Sequence, residues 1–464
     1  MAFNRRIGLA LSVAAWLCGC SVGPDYLAPE VPLPVLFGSA SKTIVSQDTA
    51  PEPDMVRWWQ TLHDPELNRL IEKAIACNPD LEIAITRVQA GRTQQIVVLG
   101  AALPQVEGSA GYAAGTGTDL TKGRAALPIR AGDASTGLQQ ITGIAGFDTG
   151  WELDLWGKYR RLLEAVRDDA QAFAEIRNAV LITVIADVAR NYVDLRGLQL
   201  RLSITRNAVK AVQKTVEVVQ ARFDRGLTNE LDLTLVKREL AAVQARIPLL
   251  VSAIAHAETQ LAFLLGTYAA DIIPAVRISP GLPRVPWRLR TGVPADLLRR
   301  RPDIRETERQ LAGATARIGV SIANLFPTVD FTAGIGFQSG ISSTSKSAAT
   351  PISQPIWSAG PGGYWPLLDF GRLDALIDIQ ELQAHEFLLR YKKAIIFAVG
   401  EVDDAIKEFR AQQQRLRELA IALEQSRRAV RLSLERYDRG LTDFLNVLDA
   451  QRQEYDLEDQ NAVA

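Results

Sequence analysis

The sequence predicts a mixed α/β chain, made mostly of very long α-helices with two strand pairs and built as an internal duplication. Three observations predict it. Two long stretches contain no proline, apolar residues inside them recur every seven positions, and both features return later in the chain at a fixed offset.

None of the 22 prolines lies between Pro128 and Pro248, and none follows Pro366. Proline removes a backbone donor and clashes with the preceding turn, so these gaps permit uninterrupted helices. As one helix, Gly157 to Arg222 would run about 100 Å at ~1.5 Å per residue. Within it Leu181, Val188, Leu195, Leu202, Val209, Val216 and Phe223 recur every seven residues, and Val184, Leu198, Val212 and Val219 fill a second row three later. A sustained repeat of seven keeps one seam facing a partner helix and implies left-handed supercoiling. A plain two-helix coiled coil would carry the same seam. This phase puts Leu202 in the seam and Arg201 in solvent.

Shifted by 214 residues, Ile395, Val402, Phe409, Leu416, Leu423, Val430 and Tyr437 occupy the same seven positions. The helix end repeats as well: Arg222-Phe223-Asp224-Arg225-Gly226-Leu227-Thr228 returns as Arg436-Tyr437-Asp438-Arg439-Gly440-Leu441-Thr442, with six of seven residues identical. The front halves match at a shift of 223, Pro79-Asp80-Leu81 answering Pro302-Asp303-Ile304 and Leu103-Pro104 answering Phe326-Pro327. Self-similarity of this kind marks a repeated structural unit. The first copy carries nine extra residues in the Gly- and Thr-rich stretch around Gly115 to Gly137, which reads as a surface loop.

Each copy holds two strand candidates. Ile141, Gly143, Ala145, Phe147, Thr149, Trp151 and Leu153 alternate with a largely polar set that includes Ile144; Val329, Phe331, Ala333, Ile335 and Phe337 alternate with Asp330, Thr332, Gly334, Gly336 and Gln338. Their partners are expected near Pro104–Tyr112 and Ile352–Leu367. Alternation with aromatics at the strand ends (Tyr112, Trp151, Trp156, Phe326, Trp357, Tyr364, Trp365, Phe370) is similar to a membrane barrel with interfacial girdles. A half-buried soluble hairpin shows the same alternation.

Composition and motifs narrow the function. A net charge of −1 gives no footprint for nucleic acid. His63, His256 and His385 are far apart, and Cys18, Cys20 and Cys77 support neither a disulfide framework nor a zinc site. No phosphate loop, His-Glu-x-x-His run, Cys/His pair or Gly-x-Ser-x-Gly elbow is present, so no enzyme, metal or cofactor is expected. Arg5 and Arg6 precede an apolar stretch, Ile7 to Leu17, too short to span a bilayer. It ends in Leu17-Cys18-Gly19-Cys20, which resembles a bacterial lipobox, with Cys20 the acylated first residue of the mature chain. An ordinary signal peptide with an incidental cysteine is the alternative. Ser21 stands where an aspartate would argue for retention in the inner membrane, so the outer membrane is favoured. After Cys20 no apolar run of about 18 residues is expected, so a membrane crossing requires a closed barrel. Four strands are too few to close one, because the smallest have about eight. Three protomers would supply twelve, with their helices continuing as a tube.

Cys20-Ser21-Val22-Gly23-Pro24-Asp25-Tyr26, Gly292-Val293-Pro294-Ala295-Asp296-Leu297-Leu298 with Arg300-Arg301-Pro302-Asp303-Ile304-Arg305, and Leu448-Asp449-Ala450-Gln451 together resemble the TolC-type outer membrane factors, in particular the acylated OprM/NodT efflux lipoproteins. The resemblance covers nearly the whole chain. It implies a homotrimer, a twelve-stranded outer-membrane barrel and a coiled-coil periplasmic tunnel. It also implies outer-membrane lipid around the barrel, a periplasmic adaptor and an inner-membrane pump of the resistance-nodulation-division (RND) type. The chain then divides into a leader (1–19), a lipidated segment forming part of an equatorial belt (20–66), a first repeat (67–265), a Pro-rich linker with prolines 274, 280, 283, 286 and 294 (266–300), and a second repeat (301–464).

The same resemblance makes Gly226, Leu227 and Thr228, and Gly440, Leu441 and Thr442, the tip turns where the adaptor docks, with either threonine a possible N-cap. Asp449, Asp232, Asn446 and Tyr437 are candidates for the tunnel constriction. A lone aspartate near a helix start also serves as a dipole partner. The type member has arginine at the position of Thr442 and aspartate at that of Asn446, so its polar latch does not carry over intact. The second returning helix stops at Ala464, about 15 residues short of its counterpart. Type I protein secretion, heavy-metal efflux and a purely structural periplasmic coiled-coil lipoprotein are the rival functions to drug efflux.

The lipobox reading has a direct check: Cys20→Ser is expected to abolish incorporation of radiolabelled palmitate, and label persisting in that variant rules out Cys20 as the acylation site.

Overall fold

The computed structural model describes residues 21–34, 55–116, 139–276, 281–283, 296, 298, 300–343 and 350–464. The leader and Cys20 lie outside them, as do most of the Gly- and Thr-rich loop and much of the Pro-rich linker.

Helix α1 (Pro65–Cys77) begins where Asp64 Oδ1 accepts the Glu66 and Leu67 amides at 2.9 and 3.1 Å, with Pro65 in the first turn. Helix α2 (Pro79–Ala101) opens the same way, Asn78 Oδ1 accepting the Leu81 amide at 3.0 Å. Strands β1 (Gln105–Thr116) and β2 (Gln139–Glu152) lead into α3 (Lys158–Asp224), a single helix of 67 residues. Helices α4 (Glu230–Gln244) and α5 (Arg246–Leu264) return, divided at Ala245, and short α6 (Ala269–Val276) follows. The second copy comprises α7 (Pro302–Ala323), β3 (Thr328–Ser343), β4 (Thr350–Tyr364), α8 (Arg372–Asp438, again 67 residues) and α9 (Phe444–Val463). The duplication also repeats in contacts: Trp151 Nε1 donates to the Ala102 carbonyl and Trp365 Nε1 to the Leu325 carbonyl, both at 3.0 Å.

The chain folds as two compact units. One gathers the described part of Met1–Val31 with Thr86–Glu175 and Asp303–Ala394; the other gathers Pro32–Ile85, Ile176–Pro302 and Ile395–Ala464.

In the first unit the strands form one antiparallel sheet in the order β1-β2-β3-β4. Its register sorts chemistry by face. Gly108, Phe147, Ile335 and Trp357 stand side by side across all four strands, as do Val106, Thr149, Ala333 and Ala359. This face also carries Tyr112, Trp151, Phe331 and Phe337, and it is open: Phe147, Ile335 and Trp357 are 62, 65 and 75% exposed. The opposite face carries Glu107, Asp148, Glu152, Asp330, Thr332 and Gln338, with Ile144 and Ile356 among its apolar exceptions. The strands start and stop a few residues from the sequence expectation because glycine at their ends blurs the alternation.

Below β2 a strap, Ser21 to Tyr26, is tied to α3. The Val22 amide donates to the Trp156 carbonyl at 3.1 Å. Buried Arg161 donates to the Val22 and Gly23 carbonyls at 3.1 and 3.2 Å, to Asp25 at 2.7 Å and to Glu164 at 2.9 Å. Gly23, at φ +93°, lies so close to α7 that a Cβ there would sit 2.4 Å from Gly319 Cα.

In the second unit Leu67, Leu70 and Ile71 of α1, Val184, Val188, Tyr192 and Leu195 of α3, Leu261 of α5, and Ile272 and Val276 of α6 form a continuous core. Arg196 runs through it, donating to the Val276 carbonyl at 2.7 Å and to the Tyr192 hydroxyl at 3.1 Å, while that hydroxyl donates to Asp64 at 2.8 Å. Burial, opposed by Arg196 and reinforced by Asp64, pushes the Tyr192 hydroxyl up to about 12.

Two expectations are corrected here, those for Arg201 and for the apolar run. Arg201 is not a free solvent-facing residue, because Asp459 of α9 takes its guanidinium in two bonds at 2.7 and 2.9 Å. Of the heptad row, Val188, Leu195 and Val209 are buried, Leu202 is half-buried, and Phe223 is exposed in the single chain. Finally, Glu230–Leu264 contains a helical stretch long and apolar enough to cross a bilayer, at a mean hydropathy of 1.4. His256, Glu258 and Thr259 interrupt it as a run but not as an average. Ala257, Leu261 and Ala262 turn one face of α5 into the core, and Leu249, Val251 and Phe263 face outward.

The Arg161 clasp is measurable. Arg161→Met removes the charged donor from three strap acceptors, where such bonds contribute about 1.5–3 kcal/mol each. Hydrogen exchange at the Val22 amide is expected to rise by at least about tenfold, whereas unchanged exchange shows that backbone packing alone holds the strap.

Candidate functional site: hairpin tips and sheet rim

Both long helices end in the same motif. In the first, the Gly226 amide donates to the Phe223 carbonyl at 2.8 Å and the Leu227 amide to the Arg222 carbonyl at 2.9 Å; in the second, Gly440 donates to Tyr437 at 2.9 Å and Leu441 to Arg436 at 2.8 Å. This is the paired closure of a Schellman turn, and it requires the left-handed backbone that Gly226 and Gly440 adopt at φ +69° and +70°.

The returning helices start one residue later than expected. Asn229, not Thr228, caps α4, its side chain accepting the Asp232 amide at 2.9 Å. Thr228 instead donates its hydroxyl to the Asp232 carboxylate at 2.5 Å. In the second tip Asp443, not Thr442, is the N-cap residue, and Thr442 Oγ1 accepts from Asn446 at 2.6 Å. A β-region residue must precede the first helical turn, and in each hairpin the three residues after the glycine are needed to reverse the chain.

Within the second unit the two tips are fastened to each other. The Arg222 guanidinium lies 4.6 Å over the Tyr437 ring and donates to the Tyr437 carbonyl at 3.2 Å. Tyr437 stands edge-on to Phe444 at 5.5 Å. Val212, Val219, Leu233, Val236, Val447 and Leu448 complete an apolar cluster around them. Above it, polar links tie α9 to its neighbours: Arg452 to Glu239, Gln451 to Thr215 at 3.1 Å, Tyr455 to Thr205 at 2.9 Å, and Arg427 to Glu458 at 2.6 Å. A cavity of about 770 Å³ lies among Thr215, Tyr437, Gln451, Arg452 and Tyr455. Burial, then the neighbouring Glu458, raises the Glu454 carboxyl, with Arg427 and Arg431 opposing.

The four constriction candidates occupy different settings. Asp449 and Asn446 are exposed on α9, Asp449 accepting from Gln453 of its own helix at 2.9 Å. Asp232 is half-buried under Thr228. Tyr437 is packed inside the tip contact and only 5% exposed. Leu227, Leu231, Leu441 and Leu445 are exposed at matched positions on the two tips. The Arg452–Glu239 link and the Arg222 clasp escape sequence reasoning because partners on separate helices leave no periodic trace. Arg222 and Arg436 do recur in the duplicated heptapeptide, the one available signal. Among the described residues no group of three or more His, Cys, Asp or Glu gathers to hold a metal.

In the first unit, the rim of the sheet is aromatic. Trp156 stacks on Phe326 at 4.7 Å and donates Nε1 to the Pro327 carbonyl at 2.7 Å. Tyr364, Trp365 and Phe370 are exposed. Aromatic rings gather in this way at the level of lipid headgroups.

The chain thus joins an open four-stranded sheet with one apolar outward face to two matched helical hairpins. The chain belongs to the outer membrane efflux protein family, which matches residues 70–267 and 293–464. It is 29% identical over 437 residues to nodulation protein T of Rhizobium leguminosarum bv. trifolii, covering 94% of this chain and 89% of that one. It is 30% identical over 455 residues to the pyoverdine export outer membrane protein OpmQ of Pseudomonas putida, covering 96% and 93%. The solved structure of the outer-membrane channel OprN superposes with a TM-score of 0.82 at 30% identity, covering 96% of this chain and 95% of that one. The protein is an outer-membrane channel of tripartite efflux and export systems, a transport protein and not an enzyme.

The link between the returning helices yields a prediction. Glu239 is buried and Arg452 half-exposed, so Arg452→Gln is expected to cost about 1–2 kcal/mol, less than a fully buried pair. Hydrogen exchange of α9 amides reads the loss, and a prior Glu239→Gln should erase most of it; equal losses in both backgrounds show that the pair is not coupled.

Proposed function

We propose that three copies of the chain close a twelve-stranded barrel, held in the outer membrane and tethered by lipid on Cys20. Its helices would line a periplasmic duct that receives small molecules such as drugs from an adaptor and an RND-type inner-membrane pump. The observation that carries this reading is the strand register: it gathers most of the apolar side chains on one exposed face, leaves the other largely polar, and ends in two unpaired edges. Hydrocarbon accepts such a sheet only when its edges are closed. The outward apolar residues of α5 (Leu249, Val251 and Phe263) supply a surface for a second copy. Exposed Leu227, Leu231, Leu441 and Leu445 support adaptor docking at the tips.

Asp449 is the residue we assign to the constriction, with Asn446 one turn before it and Asp232 on the other hairpin. Both Asp449 and Asn446 are exposed on the same face of α9. Three symmetric Asp449 carboxylates would disfavour one another's ionisation and attract cations.

Mass measurement in detergent is expected to give a trimer, and a monomer or dimer as the main species overturns the closure argument. In planar bilayers Asp449→Ala should raise conductance, weaken cation preference, or both. An unchanged channel combined with impaired efflux would reassign Asp449 to docking.

A further inference from the structure

The duplication makes each chain a pair of similar parts, so in a closed ring of copies a contact from copy one to copy two would have a counterpart from copy two to copy one of the next chain. In the tip contact Arg222 covers the Tyr437 ring and donates to the Tyr437 and Asp438 carbonyls, at 3.2 and 3.4 Å. A shift of 214 residues turns Arg222 into Arg436, Tyr437 into Phe223 and Asp438 into Asp224. The chemistry survives the shift: a guanidinium, an aromatic ring, and the last carbonyls of a 67-residue helix, where the dipole favours a cation. In the single chain both halves of this counterpart stand open, Arg436 exposed and Phe223 37% exposed where its equivalent Tyr437 is 5%.

The same relation holds independently in the other compact unit. Trp156 stacks on Phe326; the counterparts are Phe370 and Leu103, 92% and 60% exposed.

We propose that Arg436 clasps the tip of a second copy of this chain, stacking on Phe223 of the neighbouring copy and donating to its Phe223 and Asp224 carbonyls. The proposal rests on the homotrimer reading and names the surface that joins the tips. It also makes the six tip contacts of a trimer alternate in character. Inside a chain, Val219 and Phe444 are buried beside the clasp. Their equivalents between chains are Ser433 and Glu230, which offer no apolar packing. The guanidinium therefore carries the contact between chains, while inside a chain it is one contribution among several.

The test places p-benzoylphenylalanine at position 223 of the full chain in membranes and irradiates it. A covalent dimer is expected, joined through the neighbouring copy's segment around Arg436. Arg436→Ala should lower that yield about tenfold while the mass in detergent stays that of a trimer. A trimer that forms no such link, or forms it equally in Arg436→Ala, overturns the clasp and leaves the trimer standing. A monomeric mass overturns the trimer reading and the clasp with it.

Discussion

Backbone groups along the edge of a sheet must find partners, and hydrocarbon supplies none. That constraint governs this chain. Its sheet runs β1 to β4 without closing on itself, its apolar side chains face outward with nothing against them, and its rim is aromatic. Each feature suits the proposed wall of several copies. A soluble hairpin with the same alternation would turn the row Phe147, Ile335 and Trp357 onto a core, and here that row is open.

The helical parts answer a second demand, that of holding long rods in register. The seven-residue seam supplies apolar contact but little positional specificity along its length. Specificity comes from polar groups at a few levels. Arg196, Tyr192 and Asp64 lock α3 to the start of α1 and to the end of α6. Arg201, Glu239 and Thr205 tie α9 in place. The half-exposed pairs contribute modestly to stability. A slip by one heptad, which the apolar row alone would tolerate, would separate these pairs.

The strap and the tips show how a duplicated chain becomes asymmetric. Gly157 and Gly371 make equivalent turns, yet only the first receives the strap: a Cβ on Gly157 would meet Ser21 at 2.9 Å, whereas one on Gly371 would meet nothing within 4 Å. Trp156 is stacked while Phe370 is bare, and Tyr437 is covered while Phe223 is open. These differences arise because the ends of the chain and the residues packed around each copy differ, Val219 and Phe444 answering to Ser433 and Glu230, although the turn motifs are nearly the same.

Much of the architecture was legible in the residues. The proline gaps and the heptads predict two long helices, and α3 and α8 are both single helices of 67 residues. Gly226 and Gly440 mark the turns because only a left-handed residue closes a helix in this way. Period-two alternation marks the strands. Local sequence determines such features since each depends on residues within a turn or two. What it did not determine was pairing across distance. Arg201 looked solvent-facing until Asp459, 258 positions away, was brought beside it. Thr228 and Thr442 looked like caps until the length of each reversal placed Asn229 and Asp443 there. Tyr437, a constriction candidate by resemblance, is enclosed by Arg222 and Phe444, which no local pattern indicates. Those outcomes belong to the tertiary structure, because a side chain's partner is set by which helices meet and at what height, and the apolar repeat that brings the helices together is the same at every turn.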